Sequence, residues 1–128
     1  MFDLPEIRVG TCFLLRERED QDFHLWMVVA DDGRSIVIVN VTTLRSGVDT
    51  TTLLERGEHP FIKHDSVVNF RDAKKFDKHL IPKLHALGTN KFRFQEECFP
   101  DVVQKLKTGI LKSPFTSREI KRFCEEFC

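Results

Sequence analysis

The chain has 128 residues, of which 41% are hydrophobic and 31% charged, and this composition fits one domain with a buried core. Its 20 basic and 20 acidic residues cancel, which argues against a strong polyanion binder, although residues 73–128 hold 12 basic and 7 acidic residues, a net of +5. No apolar run approaches the roughly 18 residues that span a membrane, and the first residues lack the regions of a secretory signal, so we expect a cytoplasmic protein without a membrane partner.

The first half of the chain is typical of short strands separated by turns. We expect strands at residues 8–16, 24–30, 35–43 and 50–54 and in the second half of 61–70. Asp31, Asp32 and Gly33 form a hairpin turn between the second and third strands, because Asp and Gly tolerate positive φ. Strands at this regular spacing predict a small barrel or sandwich.

The second half changes to helical periodicity. We expect helices at 72–87, where Pro82 should kink or divide the helix, at 100–112, and at 117–127 behind a capping box from Thr116 to Glu119. Strands followed by helices give an α+β fold class rather than a parallel βαβ sheet. Residues 1–90 are expected to form a β-barrel body with its following helix, and residues 91–128 a C-terminal helical extension packed on the same domain.

The sequence lacks the usual signatures of metal, nucleotide and cofactor sites. Its four cysteines have no paired CxxC spacing, so we expect thiols and no metal. GxxxxGK[ST], GxGxxG, HExxH and GxSxG are all absent from the sequence. We therefore expect no cofactor.

Two places near the predicted strands carry residues that could take part in chemistry, the first of them suited to a phosphate. Thr42, Thr43 and Arg45 lie where the third strand ends, and hydroxyls and guanidinium groups donate to phosphate oxygens. The alternative is that these threonines are ordinary strand residues and Arg45 is a solvated loop residue. His24 precedes the buried run LWMVV, where a single histidine is more often a hydrogen-bonded edge residue than a catalyst.

The segment GEHPFIKHDSVVNF, residues 57–70, is the third such place. His59 precedes a proline and is therefore biased towards an extended conformation. On a strand, His64 and Ser66 would share one face and Asp65 the other. A histidine beside a carboxylate can transfer protons near neutral pH. The segment is either the rim of an active site or a polar turn and strand.

The order of these elements resembles the MazF/PemK toxin family, whose members are small SH3-like β-barrels with a C-terminal helix, many of them endoribonucleases. HLWMVVADDGRSIVIVNVTT resembles two strands of that family and their hairpin, and TTLLERGEHPFIKHDSVVNFRDAKKF resembles the region that leads into a helix. The family's strand-end threonine corresponds to Thr42, with Thr43 as the one-residue alternative. The family's arginine before the first apolar strand is replaced here by His24, and the chain beyond Phe92 has no counterpart in the compact toxins.

The resemblance implies an SH3-like barrel followed by C-terminal helices, and a metal-independent endoribonuclease of toxin-antitoxin type that cleaves single-stranded RNA. It also implies a homodimer and an antitoxin protein as partner. The expected catalytic side chains are His64, His24, Thr42 and His59. The expected substrate-binding side chains are Arg45, Lys63, Ser66 and Thr43. Phe61 or Trp26 would stack on unpaired bases.

A non-catalytic SH3-like binding module for a protein or nucleic-acid partner is the alternative, since small barrels host many functions. The zero net charge and the missing arginine favour this alternative. The basic C-terminal helices would then form the docking surface. A hydrolase that uses Ser66 as nucleophile is a third hypothesis, for which the sequence supplies no base-orienting geometry.

Overall fold

The computed structural model describes residues 4–128, which form an α+β fold of one six-stranded antiparallel sheet and three helices. The strands are β1 Cys12–Leu15, β2 His24–Asp31, β3 Ser35–Thr43, β4 Leu53–Leu54, β5 Ser66–Asp77 and β6 Phe92–Gln95. The helices are α1 Leu80–His85, α2 Pro100–Lys112 and α3 Arg118–Phe127. The sheet order is β4-β5-β3-β2-β1-β6, so β2 and β3 are central.

The central strands are rich in Val and Ile because both of their faces are covered. Residues 25–30 of β2 and 36–40 of β3 are all buried. A register shift interrupts the pairing of β2 with β3 between Val28 and Ala30, and another interrupts the pairing of β3 with β5 between Ile38 and Asn40. Bulges of this kind increase the local twist, so the sheet curls instead of lying flat.

Helices cover the two faces of the sheet unequally. Helices α2 and α3 pack on one face, where Leu106 and Phe123 join the core cluster around Met27. Helix α1 packs on the other face, where Ile81 contacts the cluster around Phe13. Since α1 has only six residues, it covers one end of this face. The other end stays open and forms the candidate site described below.

Gly109 of α2 is buried against the sheet. A Cβ atom added there would lie 2.7 Å from Cζ of Phe70 and would also overlap Oγ1 of Thr52. Glycine in a helix interior costs about 1 kcal/mol relative to alanine. The close approach of α2 to the sheet therefore explains why Gly109 occupies this position, although glycine is a poor helix former.

The predicted helix over 72–87 is wrong in its first part. Residues 66–77 are one strand, in which Lys74 lies opposite Ile38 and Asp77 lies opposite Ser35. Pairing with the buried strand β3 outweighs the helical spacing of the local sequence. Only residues 80–85 are helical, and Pro82 lies in the first turn, where no N–H is needed for the helix.

Residues 91–128 are predicted as a helical extension, but they are not purely helical. This part begins with β6, which pairs with β1 through partners such as Phe92 and Leu15. The predicted capping box is shifted by one residue. Ser117, not Thr116, is the N-cap of α3, and its hydroxyl accepts a hydrogen bond from the N–H of Ile120 at 3.3 Å.

The predicted strand 35–43 and the predicted helix 100–112 agree with the structure. The strands expected at 8–16 and 50–54 are present but shorter, whereas the strand expected in the second half of 61–70 begins at Ser66 and extends to Asp77. Within residues 4–128, no helix combines the length and apolar character needed to cross a bilayer. The four cysteines are free, and the hydrogen bond to Cys98 together with burial raises the pKa of the Cys12 thiol.

Asp49 anchors the loop that follows β3 to the connection between α2 and α3. Its Oδ2 accepts a hydrogen bond from Oγ of Ser113 at 2.6 Å, and its Oδ1 accepts one from the N–H of Thr51 at 2.9 Å. Burial raises the pKa of the Asp49 carboxyl, but these hydrogen bonds outweigh burial and leave the pKa below its usual value of 3.8.

We expect Asp49→Asn to lower the free energy of unfolding near neutral pH. The folded carboxyl has the lower pKa, so its contribution is present above the unfolded value of 3.8 and is lost as pH falls through the folded value. Denaturant unfolding of both proteins should show a stability gap at neutral pH that narrows below pH 3.8. A gap of equal size at both pH values would contradict this assignment.

Candidate functional site

The open end of the sheet face forms a groove of about 750 Å³, here called the sheet groove. Trp26 on β2, Asn40 on β3 and Asn69 on β5 line it. Trp26 lies opposite Asn40 in the sheet, and Asn40 lies opposite Asn69. Directly opposite residues of antiparallel strands project from the same face, so these three side chains form one row across the groove.

The rim of the sheet groove carries both signs of charge. Its basic side chains are Arg16, Arg45 and Lys74, and its acidic side chains are Glu17, Asp20, Asp22 and Asp72. Some of these charges already have partners: Arg16 donates to the carbonyl oxygen of Asn90 at 2.6 Å, and Asp72 accepts from Nδ2 of Asn69 at 3.0 Å. The groove is therefore polar without being strongly basic.

A second depression, of about 560 Å³, adjoins the sheet groove at the end of β3 and is here called the histidine depression. His24 and Thr42 line both of them. The other predicted site residues that line the depression are Thr43, Lys63, His64 and Ser66. The fold thus brings six of the eight predicted side chains to one place, because β3 and β5 pair so that Thr43 lies opposite Ser66.

His64 is exposed and is held by its neighbours. Its Nε2 lies 3.0 Å from Oγ1 of Thr43, within hydrogen-bond distance. Ser66 is buried, and its hydroxyl donates to the carbonyl oxygen of His64 at 2.9 Å. Ser66 therefore positions the His64 backbone, and Thr43 orients the imidazole ring. This arrangement keeps one imidazole at the mouth of the depression.

His59 lies apart from the other predicted catalytic residues. It is 1% exposed and lines neither the sheet groove nor the histidine depression. Its Nδ1 accepts a hydrogen bond from the N–H of Phe61 at 3.0 Å, so its Nε2 carries the proton and donates to the carbonyl oxygen of Glu96 at 2.7 Å. Both ring nitrogens are occupied in a structural role, and we leave His59 out of the site proposed below.

We expect His59→Ala to destabilise the protein by about 2–4 kcal/mol, because it opens a cavity and removes the hydrogen bonds of the ring to Glu96 and Phe61. Thermal and denaturant unfolding would measure this loss. The matched control is His64→Ala, whose exposed ring should change the stability by only about 0.5 kcal/mol or less. Equal stability losses in the two variants would contradict the structural role of His59.

Arg45 is exposed and does not line the histidine depression. It lines the sheet groove and a smaller pocket of about 200 Å³, whose walls include Asp49, Arg71 and Phe115. The Arg71 guanidinium lies over the Phe115 ring, with Cζ 4.3 Å from the ring centroid. Arg45 is thus placed to attract a ligand that extends beyond the histidines.

Reasoning from the sequence did not assign Asn40 or Asn69 to the site. A signal for Asn40 was present, since it interrupts the apolar residues of SIVIVNVTT and amides are depleted in strands that are buried on both faces. Asn69 carries no comparable signal, because other polar residues stand close to it on both sides, at Ser66 and at Arg71. Its place in the row follows only from the β3–β5 register.

Among residues 4–128, no cluster of three or more His, Cys, Asp or Glu side chains is arranged to hold a metal ion. The chain matches no protein-family model, no curated protein and no solved structure. The resemblance to the MazF/PemK family therefore stays a prediction.

Proposed function

We propose that the protein is a metal-independent endoribonuclease that cleaves single-stranded RNA at the histidine depression. The observation that carries this proposal is that His24 and His64 line one depression together with hydroxyl and ammonium groups. Phosphodiester cleavage by a ribose 2′-OH needs a base, an acid and donors for the developing charge on phosphorus. Those are the groups that this depression supplies.

In the proposed reaction, one imidazole removes the proton of the 2′-OH while its oxygen forms a bond to the adjacent phosphorus. The P–O5′ bond breaks, and the second imidazole, in its protonated form, gives its proton to O5′. The products are a 2′,3′-cyclic phosphate and a 5′-hydroxyl. Thr43 holds the ring of His64, and Thr42 and Lys63 line the depression where the phosphate oxygens would lie.

The remaining parts of the hypothesis rest on the MazF/PemK resemblance. A curled antiparallel sheet with C-terminal helices is compatible with the SH3-like barrel of that family. A homodimer, an antitoxin partner and a cytoplasmic location belong to the same proposal. Arg45 and the sheet groove would bind the RNA beyond the cleaved bond, since cations attract phosphates along the strand.

A non-catalytic binding module is the second candidate, and one surface favours it. A groove of about 640 Å³ beside α1 is mostly apolar and contains the exposed side chains Leu80 and Leu87. Lys83 and Lys91 stand at its rim. An apolar groove with basic edges is suited to an acidic amphipathic segment of another protein.

The test is incubation of the purified protein with a long single-stranded RNA in EDTA, followed by mapping of the fragment ends. The proposal expects discrete cuts that end in 2′,3′-cyclic phosphate and 5′-hydroxyl. A bell-shaped dependence of the rate on pH should accompany them, since one imidazole must be neutral and the other protonated. If the RNA stays intact while the protein is folded, the endoribonuclease hypothesis is wrong and the non-catalytic binding module is favoured.

A further inference from the structure

We propose that the row formed by Trp26, Asn40 and Asn69 is a subsite that recognises an unpaired adenine base. This inference rests on the proposed function for its setting beside a cleaved phosphodiester. Its evidence lies in the sheet groove itself. The row is a separate feature from the histidines, and binding of a base to it is measurable without any cleavage.

Asn40 is the first observation. It is 6% exposed, and its Oδ1 is enclosed without a hydrogen-bond partner among residues 4–128. Buried polar groups are nearly always hydrogen-bonded, so such an amide in the middle of a strand needs an explanation. Asn40 lines the sheet groove. Rotation about the terminal torsion of its side chain can turn either polar atom of the amide towards that groove.

The neighbours of Asn40 are the second observation. Trp26 and Asn69 flank it in the same row, so one aromatic side chain and two amides lie side by side. The groove measures about 750 Å³, a size typical of small-molecule sites. Unpaired bases in RNA are bound by aromatic side chains and by hydrogen bonds to their edges, which these residues offer.

The chemistry of an amide favours adenine. An Asn side chain offers one acceptor beside one donor, which complements the amino group beside a ring nitrogen that adenine presents on two edges and cytosine on only one. His24 and Thr42 lie two residues from Trp26 and Asn40 along their strands, a distance of about 7 Å. A base held in the row would therefore belong to a nucleotide next to the phosphate in the histidine depression.

Fluorescence of Trp26 provides the experiment, because it is the single tryptophan of the chain. The folded protein would be titrated separately with AMP, CMP, GMP and UMP. We expect AMP to change the emission at the lowest concentration. In Asn40→Leu and Asn40→Ser, AMP should bind about tenfold more weakly, while the binding of the other three nucleotides changes little.

The matched control is Lys74→Ala on the rim of the same groove. The ammonium group of Lys74 can attract the phosphate but does not distinguish between bases, so this variant should lower the affinity for all four nucleotides alike. Asn40→Leu should unfold at the same temperature as the wild type or higher, because it removes an amide that lacks a partner. If Asn40→Leu fails to fold, Asn40→Ser carries the test, since it is smaller and adds no charge.

Equal affinity for the four nucleotides, or a preference that survives both Asn40 variants, would overturn the subsite. RNA cleavage by Asn40→Leu at the same preferred bases as the wild type would also overturn the subsite, but it would support the proposed endoribonuclease activity. Selective AMP binding that depends on Asn40, in a protein that leaves RNA intact, would support the subsite and refute only the proposed cleavage.

Discussion

Replacing His64 or His24 with alanine is expected to slow RNA cleavage by about 10²–10⁴-fold, the usual loss when a general acid or base is removed. Both rings line the histidine depression, and neither belongs to the buried core. The variants should therefore keep the circular dichroism and unfolding temperature of the wild type. The measurement is the initial rate of cleavage of a labelled single-stranded RNA in EDTA.

Two further variants make this result specific. His79→Ala removes an exposed histidine outside the depression and should leave the rate unchanged. Thr43→Ala removes the hydroxyl that lies 3.0 Å from Nε2 of His64 and should cost about tenfold or less, the worth of one hydrogen bond. A His64→Ala protein that cleaves at the wild-type rate would show that the assignment of the proton-transfer pair is wrong.

Gly109→Ala is expected to destabilise the protein by about 2–3 kcal/mol, although alanine is the better helix former. The added methyl group would overlap Thr52 Oγ1 and would lie 2.7 Å from Phe70 Cζ. Phe70 is fully buried, so its ring cannot move aside without disturbing the core on β5. Denaturant unfolding monitored by circular dichroism would measure the change.

The control for Gly109→Ala is Thr108→Ala, one position earlier on the exposed side of α2. Its higher helix propensity should leave the stability unchanged or raise it by about 0.5 kcal/mol. A gain in stability from Gly109→Ala would mean that the helix can shift away from the sheet. The close approach of α2 would then be dispensable.

The elements that could be predicted are those whose signal is local. SIVIVNVTT is rich in β-branched residues, and Pro100 begins an apolar helical period, so β3 and α2 agree with expectation. The end of β5 could not be predicted, because DAKKFD has helical spacing and its strand pairing depends on β3, roughly forty residues earlier in the chain. Strand β6 has too few residues for an alternation of apolar and polar side chains to indicate a strand, and its partner β1 lies still further away along the chain.

The candidate site shows the same division. Thr43, His64 and Ser66 could be predicted together, because a strand end and a polar loop of the right residue types meet when neighbouring strands pair. His59 was assigned on residue type alone. In the fold its ring hydrogen-bonds to the carbonyl oxygen of Glu96, which lies 37 residues further along the chain. Nothing in the sequence indicates that contact.

The pairing of β1 with β6 also bears on how the chain folds during synthesis. Residues 16–91 separate the two strands, so β1 has a partner on only one side until the ribosome has released Phe92–Gln95. An unpaired strand edge is a template for association with other chains. A nascent chain halted after α1 would expose the edge of β1 to association with other chains, until β6 pairs with β1 and becomes the edge strand in its place.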